Sequence, residues 1–294
     1  MNRSVGIVTD SHSGISQEEA KQLGILVLPM PFYIDGQCYY EDVTLSREEF
    51  FEKLDSGADI TTSQPSPADV MKLWDQALAQ FQEIVYMPIS SGLSGSCATA
   101  AAMAQEEPYA GRVFVADHGR VSTPLHRLVL DTQDLIREGH SGAEIKDMLE
   151  GSREDVEIYI GVDTLEHLKR GGRITPAAAL LGTVLNIKPV LKLDVGVLDS
   201  YKKCRGFLKA KKIMLEAMEH DMNTRFAKAK ERGDLYLLAA SSASKEETDQ
   251  WVEEIRNTFS GMEVMCDYLS LGVSCHTGQG ALGIGCCVKP GRRS

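Results

Sequence analysis

Three short stretches of the chain are rich in hydroxyl groups that could bind an anion. They are Thr9-Asp10-Ser11, residues 61–65 with the sequence TTSQP, and residues 90–96 with the sequence SSGLSGS. Hydroxyl and backbone N–H groups at a helix N-terminus together form an anion site. Phosphate sites usually recruit Lys or Arg as well, and these stretches contain neither. The pattern therefore favours a carboxylate or a buried polar head group as the ligand.

A fourth stretch, residues 275–285, places His276 beside closely spaced glycines. The glycines match the G-x-G-x-x-G spacing of dinucleotide-binding loops, but that motif must open a helix inside a βαβ unit. Only eleven residues follow Gly283, and they have the pattern of a buried closing strand. The glycines are therefore expected to admit a close approach of the backbone, or to supply positive φ, with His276 at the mouth of the turn. A helix N-terminus with Ser, Thr and His would suit a carboxylate, while a tight turn with a structural histidine remains the alternative.

Ser94 and His276 also leave a serine hydrolase open. The residues around Ser94 resemble a nucleophile elbow, although G-x-S-x-G requires a glycine where Ser96 stands. An acylating serine needs a histidine base and an orienting acid, which His276 and Asp10 could supply. Serines at such positions are most often helix caps.

Composition and charge narrow the function classes. The chain has 294 residues, of which 43% are apolar and 25% charged, which suits two domains or one large one. A net charge of -11 argues against a nucleic-acid partner. No apolar run approaches the roughly 20 residues of a membrane helix, and the N-terminus does not resemble a signal peptide, so a cytoplasmic protein is expected. The seven cysteines lack metal-site spacing, so they are expected to be reduced and no metal is expected.

The elements that must position these residues differ between the two halves. In the first half, predicted strands at residues 5–10, 25–34, 83–90 and 112–117 alternate with helices, which indicates a parallel sheet with helices on both faces. Helix starts are marked by four capping signals: Ser16 with Glu19, Ser46 with Glu49, Ser66 with Pro67, and Ser141 with Glu144.

The second half predicts an α+β domain with a mostly antiparallel sheet. Strands are expected at residues 156–163, 187–194 and 195–204, and the last two form a hairpin. The predicted domains are therefore residues 1–154 and 155–294.

Five motifs, taken together, resemble the DegV family in order and spacing over nearly the whole chain. They are Thr9-Asp10-Ser11, Thr62-Ser63-Gln64-Pro65-Ser66, Ser91-Gly92-Leu93-Ser94-Gly95, Leu168-Lys169-Arg170-Gly171-Gly172-Arg173, and His276-Thr277-Gly278 followed by Gly280-Ala281. The resemblance implies a two-domain α/β fold that binds a fatty acid in a tunnel between or beneath the domains. In the bacterial fatty acid kinase system, such a protein presents the acid to a separate ATP-dependent kinase subunit, a step of phospholipid metabolism.

The resemblance also implies roles for particular residues. Thr62, Ser94 and His276 would hold the carboxylate of a long-chain acid of roughly the C16–C18 class. The chain itself would have no catalytic residues and no cofactor, and it lacks a P-loop or kinase signature. Gln279 stands where the family commonly has Pro, so the pose of the ligand stays open. The implied supporting residues are Ser63, Ser91, Gly95, Thr277, Gly278 and Arg205.

Partners and tunnel walls are predicted more coarsely. Lys169, Arg170 and Arg173 form a basic turn in an acidic chain, and it is either a solvated loop or a partner contact. Residues 175–187, with Met30 and Phe32, are candidates for an apolar tunnel wall, with ordinary core as the alternative. Transient contact with a membrane surface stays open, and so does a role as an accessory binder of a small phosphorylated or hydroxylated metabolite.

Overall fold

The computed structural model describes residues 3–41, 43–180, 187–194 and 197–292. The chain divides into two compact units. The first comprises Met1–Val121 and Leu125–Arg153, and the second comprises Ser122–Pro124 and Glu154–Ser294. Among the described residues, two sheets belong to the first unit and one to the second, and each unit has its own apolar clusters. The ligand tunnel predicted between the domains stays a prediction.

The first unit is built from strands and helices. In chain order they are β1 (Arg3–Asp10), α1 (Gln17–Leu23), β2 (Leu26–Leu28), β3 (Pro31–Ile34), β4 (Gln37–Tyr40), α2 (Arg47–Asp55), β5 (Ile60–Thr62), α3 (Pro67–Leu78), β6 (Phe81–Met87), α4 (Ser96–Met103), β7 (Val113–Val115), α5 (Thr123–Arg137) and α6 (Gly142–Gly151).

The main sheet of this unit is parallel, with the strand order β2-β1-β6-β7. Successive residues of β1 enter different cores, because side chains alternate across a strand. Ile7 packs in the cluster that contains Leu128 of α5, whereas Val8 packs in the cluster that contains Trp74 of α3. The predicted parallel sheet with helices on both faces is therefore confirmed.

The predicted strand at residues 25–34 is wrong as a single element. Its first part is β2 of the parallel sheet, and its second part is β3 of a separate antiparallel sheet with the order β4-β3-β5. Pro29 and Pro31 cannot donate to a ladder, and the N–H of Met30 between them donates to Ser11 Oγ at 3.1 Å. The chain therefore leaves the first sheet at this point.

The second unit contains twelve described elements. In chain order they are β8 (Val156–Gly161), α7 (Glu166–Gly171), α8 (Pro176–Ala179), β9 (Ile187–Asp194), β10 (Val197–Arg205), α9 (Phe207–Asn223), α10 (Ala227–Glu231), β11 (Leu235–Ser241), α11 (Lys245–Thr258), β12 (Val264–Tyr268), α12 (Leu271–Thr277) and β13 (Leu282–Val288).

Its sheet has the order β10-β9-β8-β13-β11-β12, and all neighbouring pairs except β11 with β12 are antiparallel. The mostly antiparallel sheet and the β9–β10 hairpin are thus confirmed. Met218 of α9 and Trp251 of α11 belong to one buried cluster. Leu168 of α7 and Ala178 of α8 belong to another, which Val273 of α12 joins. Tyr159 and Ile160 are successive residues of β8, and they belong to the first and the second of these clusters. Because successive side chains of a strand point to opposite faces, the two clusters cover opposite faces of the sheet.

The closing strand β13 contains two of the glycines near the C-terminus. It lies between β8 and β11, and all seven of its residues are buried. Gly283 lies within this strand and opens no helix, so the dinucleotide motif is absent here and the predicted buried strand is confirmed. A Cβ on Gly285 would lie 2.9 Å from the Glu157 carbonyl oxygen, whereas a Cβ on Gly283 would meet its nearest atoms at 3.6 Å.

We predict that Gly285→Ala lowers the free energy of unfolding by about 1–3 kcal/mol, because its methyl group collides with backbone that cannot move aside. Gly283→Ala is the matched control in the same strand, and it should change that free energy by less than about 1 kcal/mol. Urea unfolding followed by circular dichroism measures both. Equal losses in the two variants would contradict the steric explanation.

Candidate functional site

Ser94 lies in the turn between β6 and α4. The N–H groups of Leu93 and Ser94 donate to the Ser90 carbonyl at 3.0 and 3.2 Å. Ser94 Oγ accepts from the N–H of Ser96, the first residue of α4, at 3.2 Å. This half-buried hydroxyl therefore bonds the first N–H of the helix, whereas the N-cap position itself is Gly95, which makes no side-chain capping bond. Because the oxygen is the acceptor in this bond, the hydroxyl proton remains available to donate to a ligand.

Ser91 is held by a charged pair at the start of the same turn. Its N–H and hydroxyl donate to the two oxygens of Asp117 at 3.2 and 2.6 Å. Arg153 completes the network through Asp117 Oδ2 at 2.5 Å and Ser91 Oγ at 3.3 Å. Burial would raise the pKa of Asp117, but the hydrogen bonds from Ser91 and the charge of Arg153 outweigh it and lower that pKa below its usual value. The network fixes the turn while its two charges offset each other.

The Thr62 loop meets the Ser94 turn through Gln64. Thr62 ends β5 in register with Phe32 of β3. Gln64 Oε1 accepts from Thr99 Oγ1 of α4 at 3.3 Å, and a Cβ on Gly95 would lie 3.3 Å from the same oxygen. The structure therefore brings these two predicted loops together, and it gives Gly95 a packing role.

Asp10 and Ser63 both make hydrogen bonds within the first unit. The buried Asp10 carboxylate accepts from the N–H groups of His12 at 3.0 Å and Ile89 at 2.8 Å, so it joins the ends of β1 and β6. The histidine beside it is His12, whose Nδ1 lies 3.4 Å away. The exposed Ser63 hydroxyl donates to the neighbouring Gln64 carbonyl at 3.0 Å.

His276 lies in the last turn of α12, a helix that the sequence did not predict. Ser270 caps the start of this helix by accepting from the N–H of Val273. His276 therefore lies at the carboxyl end of a helix, at the start of the turn that contains Gly278. A Cβ on Gly171 would lie only 2.0 Å from His276 Nδ1, so the imidazole ring occupies the space that this glycine leaves.

The turn after His276 is fastened by Ser242, a buried residue that follows β11. Its hydroxyl donates to the Gly278 carbonyl at 2.6 Å and accepts from the N–H of Ala281 at 2.9 Å. Thr277, a predicted supporting residue, is buried, and its hydroxyl lies 3.5 Å from the Val273 carbonyl and 3.4 Å from that of Gly278. Thr277 therefore supports the helix end.

The predicted basic turn is instead largely the end of α7. Gly172 ends this helix with a φ of 68°, in the left-handed region that glycine favours. Lys169 and Arg170 are exposed, and Arg173 Nη1 donates to the Gly171 carbonyl. Arg205 is exposed at the end of β10, where Cys204 packs in the cluster that contains α9. Because side chains alternate, Arg205 belongs to the opposite face, which α7 covers.

The proposed tunnel-wall residues fall into two groups. Met30 and Phe32 are fully buried in the first unit, and Phe32 packs edge-to-face on Phe50 with ring centroids 5.6 Å apart. Both therefore serve as core of that unit. Thr175 caps α8, in which Ala178 is buried, but residues 181–186 of the predicted wall lie outside the described residues.

Within the part of the chain that the structure describes, none of the helices is both long and apolar enough to cross a bilayer. Within the same residues, no three or more His, Cys, Asp or Glu side chains are grouped so that they could hold a metal ion.

In α/β ligand-binding proteins, polar groups are typically found where the strands of a sheet end and helices begin. A family model described as "Uncharacterised protein, DegV family COG1307" matches residues 4–289. The chain therefore belongs to the DegV family, as its five motifs predicted.

Relatives of this chain include proteins of known structure. A DegV domain-containing protein of Deinococcus radiodurans is 38% identical over 218 residues, which are 74% of this chain and 76% of the relative. A structure of a DegV family protein from Thermus thermophilus, described by its fatty acid binding, is 33% identical, covers 97% of this chain and 99% of its own, and has a TM-score of 0.85. DegV of Bacillus subtilis, described as a fatty acid binding protein, is 27% identical with a TM-score of 0.83, covering 98% and 100%.

We predict that Asp117→Asn destabilises the first unit by on the order of 1 kcal/mol near pH 7, because the hydrogen bonds from Ser91 lose a charged acceptor. Since the folded-state pKa of Asp117 is lowered, its contribution is fully present above the unfolded pKa of about 3.9 and is lost as pH falls through the folded pKa. Urea unfolding at several pH values should show the gap to wild type closing below about pH 4. Asp147→Asn, an exposed change on α6, is the control, and a gap that does not depend on pH would contradict the assignment.

Proposed function

We propose that this chain binds a long-chain fatty acid and holds the carboxylate with Thr62, Ser94 and His276. The observation that carries the proposal is the match along 97% of the chain to the fatty-acid-binding Thermus thermophilus protein. The hydroxyl of Ser94, which keeps a proton to donate while the helix start orients its oxygen, supports this role. The fixed positions of the Ser94 turn and of the His276 ring in their own units support it further.

The energetics agree with this assignment. Burying a methylene group contributes about 0.8 kcal/mol, so sixteen carbons would contribute on the order of 12 kcal/mol before the entropy lost on binding. A buried carboxylate without hydrogen bonds would cancel much of that gain. Two hydroxyl groups and an imidazole can satisfy it without an ion pair.

The second part of the proposal is that the bound acid is presented to a separate ATP-dependent kinase subunit in the cytoplasm. The support is the exposed cationic end of α7, where Lys169 and Arg170 project from a chain with a net charge of -11. Arg173 is the further cation proposed for this contact, whereas Arg205 stays a proposed supporting residue of the head group. This chain would then bind and present the acid, and the kinase subunit would transfer the phosphoryl group.

A serine hydrolase is the weaker candidate. Its acid would be Asp10, whose oxygens accept backbone N–H groups of His12 and Ile89 and which lies beside His12. These bonds of Asp10 join the ends of β1 and β6. They give no support to a catalytic triad of Ser94, His276 and Asp10.

We expect Thr62→Val, Ser94→Ala and His276→Ala each to weaken fatty acid binding about 10- to 100-fold, because each removes a hydrogen bond to a charged group worth about 1.5–3 kcal/mol. Titration calorimetry with palmitate measures the dissociation constants. Ser56→Ala and His220→Ala, which alter exposed residues of the same types, are the matched controls. Wild-type affinity in all three site variants would refute the site. A wild-type chain that binds no palmitate would refute the function.

A charge reversal tests the presentation step. Lys169→Glu should slow acyl phosphate formation by an added fatty acid kinase subunit about 3- to 10-fold at low salt, with palmitate affinity unchanged, because exposed charges mainly govern association rates. Lys212→Glu, an equal charge change on α9, should leave the rate unchanged. Equal rates for Lys169→Glu and wild type would argue against this surface.

A further inference from the structure

Helices α7 and α12 meet through two histidine rings and two glycines. The His276 ring of α12 lies against Gly171 of α7, where a Cβ would be 2.0 Å from Nδ1. The reciprocal contact involves His167 of α7, whose Cδ2 and Nε2 would lie 2.8 and 3.3 Å from a Cβ on Gly278. Each ring therefore occupies the space left by the missing side chain of a glycine in the other segment.

The His167 ring is itself oriented. Arg170 Nη2 donates to His167 Nδ1 at 3.0 Å across one turn of α7. Because a guanidinium can only donate, this contact uses Nδ1 as the acceptor and restrains rotation of the ring. The half-buried His167 thus presents a defined edge to Gly278.

Gly278 connects the His167 contact to His276. It ends α12 with a φ of 75°, two residues after His276, and its carbonyl accepts from Ser242 at 2.6 Å. The His167 ring closes the space at Cα of Gly278 and Ser242 holds its carbonyl. A shift of the ring would therefore shift the turn and the last helical turn with it.

We propose that His167 is a positioning residue for the head-group site: its ring packs against Gly278 and so sets the position of the His276 imidazole. This inference rests on the proposed function, because it assigns His167 an effect on a ligand that His276 would hold. His167 itself makes no contact with the acid in this scheme and acts through the turn.

The test uses two glycines of the same loop. Gly278 and Gly280 have φ values of 75° and 79°, so alanine is strained at both, but nothing lies within 4 Å of a Cβ on Gly280. Gly278→Ala, Gly280→Ala, His167→Ala and the double variant Gly278→Ala with His167→Ala are made in the full chain. Two readouts are taken: the imidazole Cε1–H NMR signal of His276 without ligand, assigned with His276→Ala, and the dissociation constant of [1-13C]palmitate with its bound carboxyl shift.

Gly278→Ala should displace the His276 signal and weaken palmitate binding about tenfold more than Gly280→Ala does, the loss expected when one hydrogen bond to the carboxylate is misplaced. Adding His167→Ala should recover most of that loss, because it removes the collision. His167→Ala alone introduces no collision, so the proposal can still be tested with it if Gly278→Ala does not fold. It should move both the His276 signal and the carboxyl shift of bound palmitate.

Equal effects of the two alanines, no recovery in the double variant, or unchanged signals in His167→Ala would overturn the proposal. If wild type binds no palmitate, the proposed function fails, while the His276 signal of the ligand-free chain still decides whether His167 positions that ring.

Discussion

Where the chain leaves a sheet, its backbone N–H groups lose the neighbouring strand as acceptor and need another one. In the loops of the candidate site, side chains supply these acceptors. Asp10 accepts two such groups at the ends of β1 and β6. Asp117 accepts that of Ser91, and Ser242 accepts that of Ala281. Each of these acceptors is fixed within its own unit, so the hydroxyl and imidazole groups beside them are presented by loops with defined positions.

Local signals in the sequence predicted much of the fold. Capping boxes at Ser46 and Ser141 lie where the sequence placed them, because a cap involves only residues within one helical turn. The closing strand β13 was also predicted, since an entirely buried strand is apolar throughout. Helix α12 was missed because seven residues with Gly272 and Val273 have little helical propensity of their own, and packing on α7 and the sheet stabilises them.

The sequence indicated which polar residues to propose for the site, but not which residues hold them in place. Thr62, Ser94 and His276 belong to short motifs, whereas their supports come from distant parts of the chain. Thr99 and Gln64 are 35 residues apart, Arg153 and Ser91 are 62 apart, and Ser242 and Gly278 are 36 apart. Pairing over such separations is decided by the tertiary fold, so no local pattern could indicate it. The split of residues 25–34 between two sheets has the same cause, although its two prolines were a usable signal.

The distribution of charge bears directly on the proposed ligand. The ionised groups near the Ser94 turn are engaged with each other or with backbone, since Asp117 pairs with Arg153 and Asp10 accepts N–H groups. The groups proposed to meet the carboxylate, Thr62 and Ser94, are neutral donors. A carboxylate bound by neutral donors keeps its charge less neutralised than one in an ion pair, so its oxygen stays a better nucleophile toward a phosphoryl group. The apolar chain would then provide the affinity, and the polar end would provide orientation without tying up the reacting oxygen.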